Sequence, residues 1–152
     1  MKKIFLFTII STLLLFPACV YDSMFCISII NRTNDTILIG VAPCNNIDSV
    51  KAGISTDWFF ELKFDETGKL IFDKNNDIIR PDHIGKYCEP GGFRNKSLFV
   101  FNYEKKGYFF IINLETIENY TWEEICRNKL YKTMIVTREM LKNNDWKIDY
   151  SW

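Results

Sequence analysis

The sequence predicts a mainly β domain: an antiparallel sandwich or strongly curved sheet of six to eight strands, followed by two short C-terminal helices. Three observations carry that expectation. Short runs of β-branched and aromatic residues recur along the chain, each bounded by Asn, Asp, Gly or Pro. Aromatic residues make up 16% of the chain, and the thirteen Phe and seven Tyr cluster inside those runs, as filling for a sheet with two buried faces would. Near the C-terminus the apolar period lengthens from two to about 3.6, behind hydroxyl residues placed to start helices. A mixed α+β layer satisfies the same pattern and stays open as an alternative.

Taken in order, residues 25–30 and 36–41 are apolar and β-branched, and Asn31-Arg32-Thr33-Asn34-Asp35 between them reads as a hairpin or a tight strand connection. A loop through Ala52-Gly53 leads to a strand over 58–64, and Asp65-Glu66-Thr67-Gly68 turns it into a second strand over 69–72. Residues 73–96 hold Pro81, Pro90, Gly91 and Gly92 and read as the longest irregular segment, where a site or a variable edge would sit. Residues 97–103 and 108–114, joined by Glu104-Lys105-Lys106-Gly107, form the clearest hairpin pattern. Thr121-Trp122-Glu123-Glu124 is a capping box with Tyr120 and Ile125 in the staple positions, and Trp122, Ile125, Cys126 and Leu130 follow on one helical face. A strand over 131–136, a helix capped by Thr137, and a last strand over 146–150 complete the chain.

The first nineteen residues carry an address. Lys2 and Lys3 precede an apolar run over 4–16 that contains Thr8, Ser11 and Thr12. That run falls short of the roughly 20 apolar residues a membrane-spanning helix needs, so it reads as a cleaved signal. Bulky Phe16, three residues before a cut after Ala18, does not suit ordinary signal peptidase. Leu15-Phe16-Pro17-Ala18-Cys19 instead resembles a bacterial lipobox, departing from the common pattern at Phe16 and Pro17. The resemblance implies that residues 1–18 are removed, that Cys19 becomes the lipidated first residue, and that 19–24 is a tether to a single domain over 25–152. Acyl chains bind a bilayer with about 0.8 kcal/mol per CH₂, so the membrane is held through lipid on Cys19 and the fold need not touch it. Val20 stands where an Asp would retain a lipoprotein at the inner membrane, which implies an outer-membrane address with either face open.

Removal of the first 18 of 152 residues leaves 134, enough for one domain with a real core. The 19 basic and 19 acidic residues cancel, and loss of Lys2 and Lys3 leaves 17 against 19. No basic excess is present to neutralise a phosphate backbone, which argues against a nucleic-acid partner. With Cys19 assigned to lipid, Cys26, Cys44, Cys88 and Cys126 remain, and an exported chain permits two disulfides among them in three connectivities. Cys44 and Cys88 both sit in turn-rich sequence and are the expected pair. Cys26, in an apolar strand, and Cys126, on an apolar helix face, read as buried thiols.

Motifs for catalysis are sparse. Asp73-Lys74-Asn75-Asn76-Asp77 spaces its oxygens as a calcium loop does, but Ile78 and Ile84 occupy the positions of the required Gly and bidentate acid. A turn between strands accounts for the run, and no metal or cofactor is expected. His83, the one histidine, precedes Cys88 by five residues, and spacing alone supplies neither the orienting group nor the oxyanion donors of a cysteine nucleophile. The cysteines lack the short paired spacing of a zinc site. No catalytic residue is assigned. Asp22-Ser23-Met24, Asp35-Thr36-Ile37 and Asp48-Ser49-Val50 are similar to the O-glycosylation acceptor of Bacteroidales exported proteins, which makes Ser23, Thr36 and Ser49 candidate glycan sites. Turns that simply end before strands explain the same tripeptides equally well.

The stretch from Ile29-Ile30-Asn31 to Asp35-Thr36-Ile37, together with Tyr108-Phe109-Phe110-Ile111, Tyr120-Thr121-Trp122 and Asn144-Asp145-Trp146-Lys147-Ile148, resembles small uncharacterised lipoproteins of Bacteroidales. That resemblance implies a location and transfers no functional residue. The expected function is a non-enzymatic envelope lipoprotein, a binding or assembly module with an envelope protein or glycan as partner. Two alternatives stand beside it: a carbohydrate-binding accessory protein, which exposed Trp58, Trp122 or Trp146 would favour, and a small hydrolase using the 73–96 loop.

Overall fold

The computed structural model describes residues 23–50, 52–54, 59–91 and 105–151. Ten strands run as β1 (Ser23–Asn31), β2 (Ile37–Ala42), β3 (Ala52–Ile54), β4 (Phe59–Glu61), β5 (Lys63–Phe64), β6 (Leu70–Ile71), β7 (Ile84–Gly91), β8 (Lys106–Asn113), β9 (Lys132–Thr137) and β10 (Lys147–Tyr150). Among the described residues three short α-helices accompany them: α1 (Leu114–Asn119), α2 (Trp122–Arg127) and α3 (Arg138–Asn143). The strands form a three-stranded sheet in the order β10-β1-β7, a five-stranded sheet in the order β4-β3-β2-β8-β9, and the small hairpin β5-β6. The mainly β, sandwich-like class expected from the sequence is the class observed.

Side-chain alternation builds the layers. On the five-stranded sheet, Ile37, Ile39 and Val41 of β2 with Phe109 and Ile111 of β8 face Ile27, Ile29, Tyr87 and Tyr150 of the three-stranded sheet. The intervening residues Leu38, Ala42, Phe110 and Ile112 face the other way, onto Leu70, Ile117 and Ile125. The central strand β2 is therefore buried along its whole length, and its sequence is a continuous apolar run. Gly85, opposite Ile29 in the β1–β7 ladder, lets the two layers meet: a Cβ there would lie 2.1 Å from Ile79 Cδ1 and 2.9 Å from Ile54 Cγ2.

The helix starts follow the sequence. Thr121 Oγ1 accepts from the Glu124 amide at 3.3 Å and Glu124 Oε2 accepts from the Thr121 amide at 2.9 Å, completing the capping box of α2. Thr137 Oγ1 accepts from the Met140 amide at 3.1 Å and opens α3. The Asp65 carboxylate accepts from the Thr67 and Lys69 amides in the β5–β6 turn, which Gly68 closes at φ 78°.

Several expectations are corrected. Residues 31–35 do not close a hairpin, because β1 and β2 belong to different sheets and this connection crosses between them. β8 pairs with β2 on one edge and β9 on the other, so it has no edge left for the hairpin partner expected at 97–103; that segment lies outside the described residues. Residues 84–91, expected to be irregular, form β7 along almost the whole length of β1. α1 is a third helix, with Ile117 buried over the five-stranded sheet.

The expected Cys44–Cys88 disulfide is also replaced. Antiparallel register sets Cys26 directly opposite Cys88, and their sulfurs are bonded at 2.09 Å. The turn-like composition around Cys88 concealed a strand, and strand register rather than loop proximity chose the pair. Because Ile27, Ile29 and Tyr87 face the core, this disulfide projects from the outer face of its sheet. Cys44 and Cys126 are free thiols.

Candidate binding groove

A groove lies where β9, α3 and β10 meet. β9 is the last strand of the five-stranded sheet, β10 the last of the three-stranded sheet, and α3 carries the chain from one to the other. Leu141 anchors the helix in the sandwich core. The turn after it is tight, with Asp145 and Trp146 both left-handed at φ 50° and 61°. Trp146 N–H donates to Leu141 O at 2.7 Å and its carbonyl accepts from Ser28 N–H at 2.9 Å, which sets β10 parallel to β1 in register. Between the two sheet edges runs a groove of ≈ 900 Å³. Met134, Ile135, Met140, Leu141 and Ile148 supply its apolar surface, and Asn143, Asn144 and Asp145 its polar mouth.

The ladders fix which main-chain groups face this groove. Arg138 N–H donates to Lys105 O, so Arg138 and Lys105 are a hydrogen-bonded pair. Antiparallel pairs alternate, and the β8–β9 register therefore points the N–H and C=O of Met134 and Val136 toward β8, and those of Thr133 and Ile135 away from it. On β10, Ser28 N–H donating to Trp146 O and Arg32 N–H donating to Tyr150 O turn the even-numbered residues toward β1 and Asp149 outward. Two strand edges thus border one groove. They differ in dress: β10 is four residues long and carries Lys147 and Asp149, the latter 3.1 Å from Arg32 Nε, whereas β9 is six residues long and is charged only at its first residue, Lys132. Ile135 and Met140 remain 48% and 47% exposed at the rim.

Chemically, the groove offers hydrogen bonding to a backbone, contact to apolar side chains, and polar and charged side chains of Asn143, Asn144, Asp145, Lys147 and Asp149. Its lining residues include no histidine, cysteine or serine. A smaller hollow of ≈ 250 Å³ lies beside Leu130, Tyr131 and Lys132.

The residues singled out from sequence lie elsewhere. Cys19 falls outside the described residues. Ser23 is the first residue of β1, and Thr36 is half-buried directly before β2. The Ser49 hydroxyl donates to Asn46 O at 2.6 Å and lies 3.0 Å from the exposed Cys44 thiol. Burial, with the Asp48 carboxylate beside it, pushes the Cys126 thiol up to about 12. His83 is exposed with Nδ1 2.8 Å from Pro81 O, and the sulfur of Cys88, five residues on, is bonded to Cys26 and is no nucleophile. The Asp73 carboxylate accepts from the Asn75 amide and the Asn76 side chain, closing a turn on itself. Trp122 and Trp146 pack against the two cores, and Trp58 lies outside the described residues. The groove itself was invisible to sequence reading, although its β9 wall was legible as a strand; the uncharged stretch from Thr133 to Thr137 is the signal that its edge is left open.

No protein-family model, curated protein or solved structure matches this chain.

Proposed function

We propose that this chain is a non-enzymatic envelope lipoprotein of the kind its sequence resembles, held at the outer membrane by lipid on Cys19 and acting as a binding or assembly module. The observation that carries the binding role is the groove between β9, α3 and β10, bordered by two strand edges and lined by an apolar set around Leu141 and Ile148 with polar and charged side chains, among them Asn143, Asp145 and Lys147. An anchored domain of this kind works by what it holds. In this reading the partner is an envelope protein; a glycan partner is less favoured, because neither Trp122 nor Trp146 lines the groove and both are committed to core packing. Ser23 and Thr36 stand as the O-glycan acceptors, while the Ser49 hydroxyl is already engaged by its own turn.

The test is chemical crosslinking of the lipidated protein in its native envelope, followed by purification and mass spectrometry. A reproducible envelope protein is the expected product, and its absence across independent preparations counts against the reading. The anchoring part is tested separately: Cys19→Ser abolishes membrane retention if lipid holds the chain.

A further inference from the structure

The geometry points to an extended peptide segment of another protein as the occupant of the groove, added as a sixth strand on the free edge of β9. This rests on the binding-module reading above and specifies its partner. The argument begins with hydrogen bonding. Thr133 and Ile135 each present an N–H and a C=O outward, roughly 7 Å apart along the strand, and no described residue answers them. That alternation of donor and acceptor at two-residue spacing is the complement of an extended backbone.

The second part is the contrast between the two edges. Proteins blunt exposed edges with charge and shortness. β10 is treated in that way, with Lys147, Asp149 and the Arg32 pairing on four residues, whereas β9 is six residues long and carries charge only at its first, Lys132, leaving Thr133 to Thr137 uncharged. The third part is the wall opposite. A strand laid beside β9 would turn alternate side chains toward Leu141 and Ile148, which lie between the sheets, and the others toward solvent. The segment that fits therefore alternates apolar and polar residues, the apolar set completing the sandwich on its open side. With α3 and β10 bounding the groove, a folded second copy would have to bring its own β9 edge past α3.

The test uses the mature lipidated chain in detergent and a synthetic peptide alternating threonine and valine between terminal lysines, with the same peptide N-methylated on alternate residues as control. Amide hydrogen exchange is read at single residues. The expected result is slowing of roughly tenfold or more at Thr133 and Ile135 on peptide addition, no further change at Met134 and Val136, which β8 already protects, and no effect of the methylated peptide. Ile135→Pro removes an outward donor without touching the β8 ladder and should weaken peptide binding roughly tenfold. Ile135→Lys, which keeps the backbone and blunts the edge, serves should the proline variant fail to fold. Equal slowing at both parities, or none at saturating peptide, overturns the inference. Slowing at Thr133 and Ile135 that depends on protein concentration without peptide overturns the assigned occupant in favour of a second copy. An envelope partner recovered by crosslinking through another face, with no peptide effect here, removes strand addition and leaves the binding module intact.

Discussion

Replacement of Asn31 by Ala should be among the most destabilising single changes available in this fold. Asn31 is the one fully buried polar residue among the described residues, with 0% exposure, at the point where the chain leaves one sheet for the other. Its Nδ2 donates to Asp35 O at 2.7 Å and Ile79 O at 2.9 Å, while its Oδ1 accepts from Thr33 N–H at 3.0 Å and Thr33 Oγ1 at 2.7 Å. These four bonds do not count equally. Asp35 and Thr33 border solvent and can take water, and Ile79 O retains the Ile37 N–H at 3.0 Å. Charging about 1 kcal/mol for the buried bond, about the same for the three others together, and about 1 for the void gives a loss of about 3 kcal/mol. Urea unfolding followed by circular dichroism measures it as a lower midpoint with unchanged slope. Asn31→Asp sharpens the test, because it keeps the acceptor toward Thr33 and sets a carboxyl oxygen against two carbonyls. Such a carboxyl must hold its proton in the fold, so the variant's stability is present at acid pH and lost as pH rises. A loss below about 1 kcal/mol for Asn31→Ala, or an Asp variant as stable as the parent at pH 7, would refute the view that this side chain pins the crossing.

Four further outcomes are expected. Cys26→Ser should lower stability by about 4 kcal/mol on the loop-entropy model for a separation of 62 residues, while Cys44→Ser changes it by less than about 0.5, both read by denaturant unfolding. Gly85→Ala should cost about 1–3 kcal/mol by overpacking against Ile79 and Ile54, seen as a depressed melting temperature. Thr121→Ala should cost about 1 kcal/mol through the lost cap. The same bonds from the Thr121 amide and hydroxyl hold Glu124 below its usual 4.5, as the Thr67 hydroxyl and Lys69 amide hold Asp65 below its usual 3.8. Their stabilisation is therefore present above those values and lost as pH falls through the lowered ones, so melting temperature should drop below about pH 4.5 and Thr121→Ala should flatten that limb. Brief treatment of the native chain with a thiol reagent near pH 8 should label Cys44, which is exposed, and spare Cys126, whose thiol stays protonated; equal labelling would contradict the burial of Cys126.

Much of the element inventory was legible because it is local. Alternation marks β1, where Ile27 and Ile29 are buried between half-buried neighbours, and the unbroken apolar run marks β2 as covered on both faces. Thr121 and Thr137 announce their helices because a cap needs only residues three apart. β7 was not legible because Pro90 and Gly91, at its end, read as turn residues, whereas both belong to the strand. α1 escaped because Asn113 makes no side-chain cap and Ile117 is its one buried residue.

By itself, then, the sequence determined a mainly β chain, its helix starts, its charge balance and the expectation of an address; each depends on composition or on residues a few positions apart. Tertiary structure alone decided which strands are neighbours. Alternation states which face of a strand is buried and leaves its edges unassigned. The parallel pairing of β1 with β10, the opposition of Cys26 to Cys88, and the open edge of β9 all follow from where long-range packing places whole strands. The groove exists because two sheets end side by side there, and no local pattern of residues encodes that.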